Sequence, residues 1–176
     1  MDPLYHWSVA IMMSALLFSV GWHKFNSPAY YRDLIGRYTG VHAMLAAAAA
    51  RVLAVVEISA AILLLLPGTR VAAAWGVTGL LSVYTLLIAV SLWRGLDMDC
   101  GCSGPLARQR LSPWLLLRNA VLLLLAWMLT LPGSGRALGV TDCLVILCAG
   151  FTLLCIYLAC EQLLSNRDKL ILLRSQ

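Results

Sequence analysis

The chain has 176 residues, of which 61% are hydrophobic and 12% are charged, and its mean hydropathy is +0.86. A soluble domain carries about 25% charged residues and about 45–50% apolar ones, so the composition excludes a soluble protein and predicts an all-α polytopic membrane protein. The net charge of +5 is modest and the basic residues lie beside the apolar runs, which indicates membrane orientation rather than nucleic-acid binding.

The apolar runs predict a helix bundle of five transmembrane helices in a single integral membrane domain, residues 1–176. Each run supplies close to the roughly 20 residues that cross a bilayer, and no separate soluble domain fits between them. The first run lacks the basic n-region and cleavage site of a signal peptide, so we interpret it as a span. The predicted spans cover residues 8–25, 45–66, 71–93, 113–131 and 140–160.

The first two spans contain charged residues near or inside the apolar layer. The first ends in the sequence GWHKF, in which aromatic rings and Lys24 suit the headgroup layer. The second begins with an alanine tract, which favours close helix packing, and contains Arg51 and Glu57. These two lie six residues apart, on different helix faces. Glu57 is therefore expected to pair with a cation on another helix, either Arg118 or Lys24. This pair would be either part of a functional site or a structural ion pair.

A polar loop, residues 94–112, follows the third span and contains the sequence DMDCGCSG at residues 97–104. Two thiols one residue apart predict a redox pair, Cys100 and Cys102. Their disulfide would close a small strained ring that exchanges easily, and Gly101 gives the backbone freedom for such a turn. Asp99 would oppose the thiolate form.

Other interpretations of the loop thiols stay open. They could be unreactive, or they could bind Cu(I) or Zn(II) with the adjacent carboxylates. Two cysteines are half of a tetrahedral zinc site, however, and no His or Cys follows at ligand spacing. We interpret the three histidines as interfacial residues at helix ends: His6, His23 and His42.

The fourth span begins at Ser112-Pro113, a favourable N-cap followed by proline at the first helical position, and contains Arg118-Asn119. At about 1.5 Å per residue, Arg118 lies roughly 9 Å into the membrane. Arg51 is expected at a similar depth and Lys24 at the same face, so these three cations would share one half of the bilayer with the thiols. Arg118, Arg108 or Arg110 near the loop would favour ionisation of the thiols. The fifth span holds four cysteines that we interpret as small apolar residues, with a short interfacial helix after residue 160.

These motifs resemble the MauE family of methylamine utilisation, which belongs to a wider DoxX-like group. The resemblance covers residues 8–131. It rests on Glu57 and on three short motifs: GWHKF at 21–25, DCGCSG at 99–104 and LRNA at 117–120. It implies a multi-pass protein of the bacterial inner membrane that acts with a thioredoxin-like, MauD-like partner. The implied client is the disulfide-rich small subunit of methylamine dehydrogenase.

On this hypothesis Cys100 and Cys102 are the exchanging pair, and Glu57 and Arg118 belong to a polar cluster that tunes the thiols or anchors the loop. The other expected supporting residues are Asn119, Lys24, Arg51, Asp99 and Gly101. A quinone is compatible as electron acceptor, since membrane disulfide oxidases commonly use one, but no residue specifies it. The alternatives are a non-catalytic membrane scaffold or transporter and a protein that handles copper or zinc.

Basic residues are distributed unequally between the two membrane faces. With five spans, the face that carries the cysteine loop has nine, against Arg70 and Arg136 on the other. By the positive-inside rule the loop would be cytoplasmic, whereas direct oxidation of a periplasmic client needs it on the opposite face. The nine residues are Lys24, Arg32, Arg37, Arg94, Arg108, Arg110, Arg167, Lys169 and Arg174.

Overall fold

The computed structural model describes residues 3–95, 113–131 and 139–174, with side chains in the last range to residue 164 and at 166. In these ranges every regular element is an α-helix, so the predicted all-α class is confirmed. The six helices are α1 (Pro3–Asn26), α2 (Pro28–Thr39), α3 (Ala43–Leu65), α4 (Arg70–Trp93), α5 (Pro113–Met128) and α6 (Val140–Arg174).

The prediction of five full spans is wrong in its fourth segment. Four helices in the described ranges, α1, α3, α4 and α6, are long and apolar enough to cross a membrane. The 16 residues of α5 rise only about 24 Å, less than the roughly 30 Å of a hydrocarbon core. The helix ends early because residues 129–131 bond to carbonyls three residues back, in tight 3₁₀ turns.

Two other boundaries differ from the predictions. The predicted polar connection after α1 contains α2, which begins at Pro28 and ends at Thr39. Gly40, directly after the helix, has the left-handed conformation (φ 69°). Proline at the first turn and glycine after the last are the signals of a helix this short. The fifth span and the tail form one helix, α6, because no glycine or proline interrupts residues 151–174.

Helix α1 lies at the centre of the bundle. In its most apolar 18-residue segment, 50% is buried, compared with 28% in the corresponding segments of α3 and α4 and 11% in that of α6. It packs chiefly on α3 and α6. The outer surface carries large exposed apolar side chains such as Trp75, Leu86 and Phe151. Polar groups lie inside instead, as expected where the solvent is lipid.

Small residues bring α1 and α3 close together. Ala46, Ala50, Ala54 and Ala61 form a buried face of α3, so the predicted role of the alanine tract in packing agrees with the structure. Gly21 of α1 lies against this face, and Ser14 Oγ donates a 2.7 Å hydrogen bond to the Ala61 carbonyl oxygen. The close approach places the end of α1 beside Glu57.

We expect Gly21→Ala to destabilise the bundle. The added Cβ would lie 2.9 Å from Ile58 Cγ1 and 3.1 Å from the Ala54 carbonyl oxygen, and overpacking of this kind costs about 1–3 kcal/mol. The free energy of unfolding, measured by titration with denaturing detergent, should fall by a similar amount. Gly76→Ala is the matched control, because nothing lies within 4 Å of that Cβ; equal losses in both variants would contradict the prediction.

Candidate functional site

The intramembrane polar residues form two clusters. The Lys24 cluster consists of Lys24 of α1, Glu57 of α3 and Tyr84 of α4. The Arg118 cluster consists of Arg118 and Asn119 of α5 with Glu161 of α6. The structure therefore separates Glu57 from Arg118, which the sequence placed in one cluster, and gives each its own partner of opposite charge.

In the Lys24 cluster three polar groups bond one another. Lys24 Nζ donates to Glu57 Oε1 and, at 3.0 Å, to Tyr84 Oη. The Tyr84 hydroxyl in turn donates to Glu57 Oε1 at 2.6 Å. Lys24 Nζ also lies 4.9 Å from the centre of the Tyr84 ring and 5.7 Å from that of Tyr31, within reach of a cation–π attraction. The carboxylate is thus held by two donors on one oxygen.

The ion pair between Lys24 and Glu57 is buried, so each charge needs the other. The side chains of Lys24 and Glu57 are 6% and 1% exposed, and either charge alone would be costly in a low-dielectric interior. Lys24 is one of the two partners predicted for Glu57, and its side chain is buried inside the bundle. The close approach of α1 to Glu57 encloses it, and Tyr31 of α2, itself 2% exposed, lies beside it.

The Arg118 cluster joins α5 to α6. Arg118 Nη1 donates to Glu161 Oε1 at 2.6 Å, and Nη2 donates to Asn119 Oδ1 at 3.4 Å. The side chains of the ion pair are 10% and 6% exposed. Few other close contacts connect these two helices, so the ion pair is a principal link between them.

Both clusters line one internal cavity of about 60 Å³. Glu57 and Tyr84 contribute from α3 and α4, and Arg118, Asn119 and Glu161 contribute from α5 and α6. The rest of the wall is mostly apolar and comes largely from α1. The cavity is therefore a mostly apolar space with a few charged and polar groups, at the junction of five helices.

The other predicted site residues are not part of these contacts. Arg51 is exposed on α3 and is absent from the hydrogen bonds of both clusters. Cys100, Cys102, Asp99 and Gly101 lie outside the described residues. The four cysteines of α6 are exposed on the outer surface of the bundle, as expected for small apolar residues in contact with lipid: Cys143, Cys148, Cys155 and Cys160.

Sequence reasoning missed Tyr84 and Glu161. Tyr84 lies mid-span in an apolar helix, and its contact with a charge is visible only in the structure. Glu161 was assigned to the tail because it follows the predicted end of the fifth span by one residue. The signal that could have found it was the intramembrane Arg118, which requires a carboxylate at similar depth.

Comparison with known proteins places these motifs in a family. The family model described as "Methylamine utilisation protein MauE" matches residues 1–132. The chain belongs to the MauE family.

Relatives in this family match along nearly the whole chain. The methylamine utilization protein MauE of Paracoccus versutus is 30% identical over 92% of this chain and 88% of its own length. The corresponding proteins of Paracoccus denitrificans and Methylophilus methylotrophus are 29% and 26% identical, covering 92% and 91% of this chain and 88% and 86% of their own lengths. No solved structure matches the chain. The resemblance inferred from the sequence motifs is thus confirmed.

Within this MauE-family bundle, breaking the Lys24 pair should be far more damaging than breaking a surface pair. We expect Lys24→Met or Glu57→Leu alone to lower the free energy of unfolding by about 3–5 kcal/mol, since each leaves a buried charge unpaired. The double variant should recover much of that loss, as measured by detergent unfolding in a double-mutant cycle.

Arg32→Ala is the control for this cycle. It removes a pair with Asp33 in which the side chains are 43% and 61% exposed, and such pairs contribute about 1 kcal/mol or less. Additive losses in the Lys24/Glu57 double variant would contradict the interpretation.

Proposed function

We propose that this MauE-family protein is a multi-pass protein of the bacterial inner membrane that performs thiol–disulfide exchange through Cys100 and Cys102 in methylamine utilisation. The proposed client is the small subunit of methylamine dehydrogenase or a related disulfide-rich protein. The proposed exchange partner is a thioredoxin-like, MauD-like protein. The names of the relatives support the pathway, and the thiol pair in the loop supports the chemistry.

The observation that carries the proposal is where the cysteine loop joins the bundle. The loop connects α4 to α5, and these helices carry Tyr84 of one cluster and Arg118-Asn119 of the other. Arg118 lies five residues after Pro113, about 7.5 Å along α5. Both helices at the base of the loop are therefore tied into the bundle by buried polar contacts. This arrangement supports a positioning role for Glu57 and Arg118.

The proposed exchange transfers one disulfide from the loop to the partner. A thiolate of the reduced partner attacks one sulfur of the Cys100–Cys102 disulfide, and a mixed disulfide forms as the other sulfur leaves as a thiolate and takes up a proton. The partner's second thiolate then attacks the mixed disulfide. The partner gains a disulfide, Cys100 and Cys102 become thiols, and two electrons pass from the partner to the loop.

A non-catalytic membrane scaffold is the second candidate. It is favoured by the two buried ion pairs, which join α1 to α3 and α5 to α6. In a scaffold the loop thiols would have no role in exchange. The two candidates therefore differ in what the loss of the thiols does to the client.

We expect Cys100→Ser/Cys102→Ser to abolish maturation of the client, because no exchangeable disulfide remains. A variant of the thioredoxin-like partner that keeps only its attacking cysteine should accumulate a mixed disulfide with the loop, detected on a non-reducing gel, because no second thiolate can attack that disulfide. Cys155→Ser/Cys160→Ser is the matched control, since both thiols are exposed on the outer surface of α6. Normal client maturation in the double loop variant, with the protein present at its usual level, would favour the scaffold.

Labelling should show which membrane face carries the loop. In a variant that lacks the four cysteines of α6, a membrane-impermeant maleimide applied to sealed vesicles reaches Cys100 and Cys102 from one side only. A direct role in oxidising a periplasmic client predicts labelling from the periplasmic side, and only after reduction. Labelling confined to the cytoplasmic side would agree with the distribution of basic residues and contradict direct oxidation of the client.

A further inference from the structure

Among the buried polar atoms on the cavity wall, Glu57 Oε2 and Asn119 Nδ2 have no hydrogen-bond partner among the described residues. Glu57 is 0% exposed and Asn119 is 2% exposed, so bulk water does not satisfy them. Buried polar side-chain atoms are nearly always paired, with ordered water where the protein supplies no partner. Two such atoms on one cavity indicate a ligand that both can bind.

The existing contacts define the chemistry that each atom offers. Lys24 and Tyr84 both donate to Glu57 Oε1, which leaves Oε2 as an acceptor. Arg118 Nη2 donates to the side-chain oxygen of Asn119, which sets the orientation of the amide and leaves Nδ2 as a donor. The missing ligand must therefore accept from Asn119 and donate to Glu57. A hydroxyl group does both.

The smallest compound with these properties is water. The cavity has a volume of about 60 Å³, and roughly 10–15 Å³ of such space is enough to hold one water molecule. Water fits the space as it stands, and the wall offers enough polar groups to hold it.

We propose that this cavity is an exchangeable water site that connects the Lys24 cluster to the Arg118 cluster. Water molecules in it accept from Asn119 Nδ2 and donate to Glu57 Oε2. Hydrogen bonds then run from α1, α3 and α4 through the waters to α5 and α6. This site is separate from the thiol pair and does not depend on the exchange chemistry proposed for it.

Infrared spectroscopy of the full-length protein in detergent or lipid tests this proposal. After transfer into H₂¹⁸O buffer, the wild type should show isotope-shifted O–H stretching bands of internal water, obtained as the difference from Leu122→Phe. Leu122 lines the cavity, and the larger ring fills the space without removing a polar group. Asn119→Leu should lose the same bands, because it removes the donor.

A buried polar group elsewhere provides the control. Ser14→Ala removes a hydroxyl that bonds to the Ala61 carbonyl oxygen and does not line the cavity, so its internal-water bands should equal those of the wild type. Thermal unfolding verifies that each variant is folded. Identical bands in the wild type, Leu122→Phe and Asn119→Leu would overturn the proposal, and so would bands in the wild type that do not shift in H₂¹⁸O. Replacement of Cys100 and Cys102 should leave the bands unchanged.

Discussion

The need to neutralise Glu57 inside the bilayer determines much of this bundle. A carboxylate that is 0% exposed requires a buried cation, and Lys24 supplies it from the last turn of α1. That pairing requires α1 and α3 to approach closely, which the alanine face of α3 and the bare backbone of Gly21 permit. Tyr84 then adds a hydrogen bond to Glu57 Oε1 and connects α4 to the same carboxylate.

The same constraint explains how α5 and α6 are held. Helix α5 packs on α4 and α6 packs on α1, but few close contacts join α5 to α6. The Arg118–Glu161 ion pair links these two helices, because separating the two charges would leave each alone in the membrane. The two clusters face one cavity, whose apolar wall comes largely from α1, the central helix.

The MauE family and the buried clusters are related through the loop that carries the thiols. Thiol–disulfide exchange needs two sulfurs held where a partner protein can reach them, and a loop between two helices is only as well positioned as those helices. Polar contacts join α4 and α5 to the rest of the bundle. In the proposed exchange, the intramembrane charges would position the loop without touching the reacting sulfurs.

The sequence by itself determined the helical class, the membrane environment, the family and the need of Glu57 for a partner on another helix, because these follow from composition, local motifs and the energetic cost of an isolated charge. Only the tertiary structure decided between Lys24 and Arg118 as that partner, found Tyr84 and Glu161, and placed Arg51 outside both clusters. Depth along a helix can be estimated from residue spacing, but helix rotation and neighbour choice depend on long-range packing. The fit of Gly21 against Ala54 and Ile58, which places Lys24 beside Glu57, is a contact between residues more than 30 positions apart in the chain.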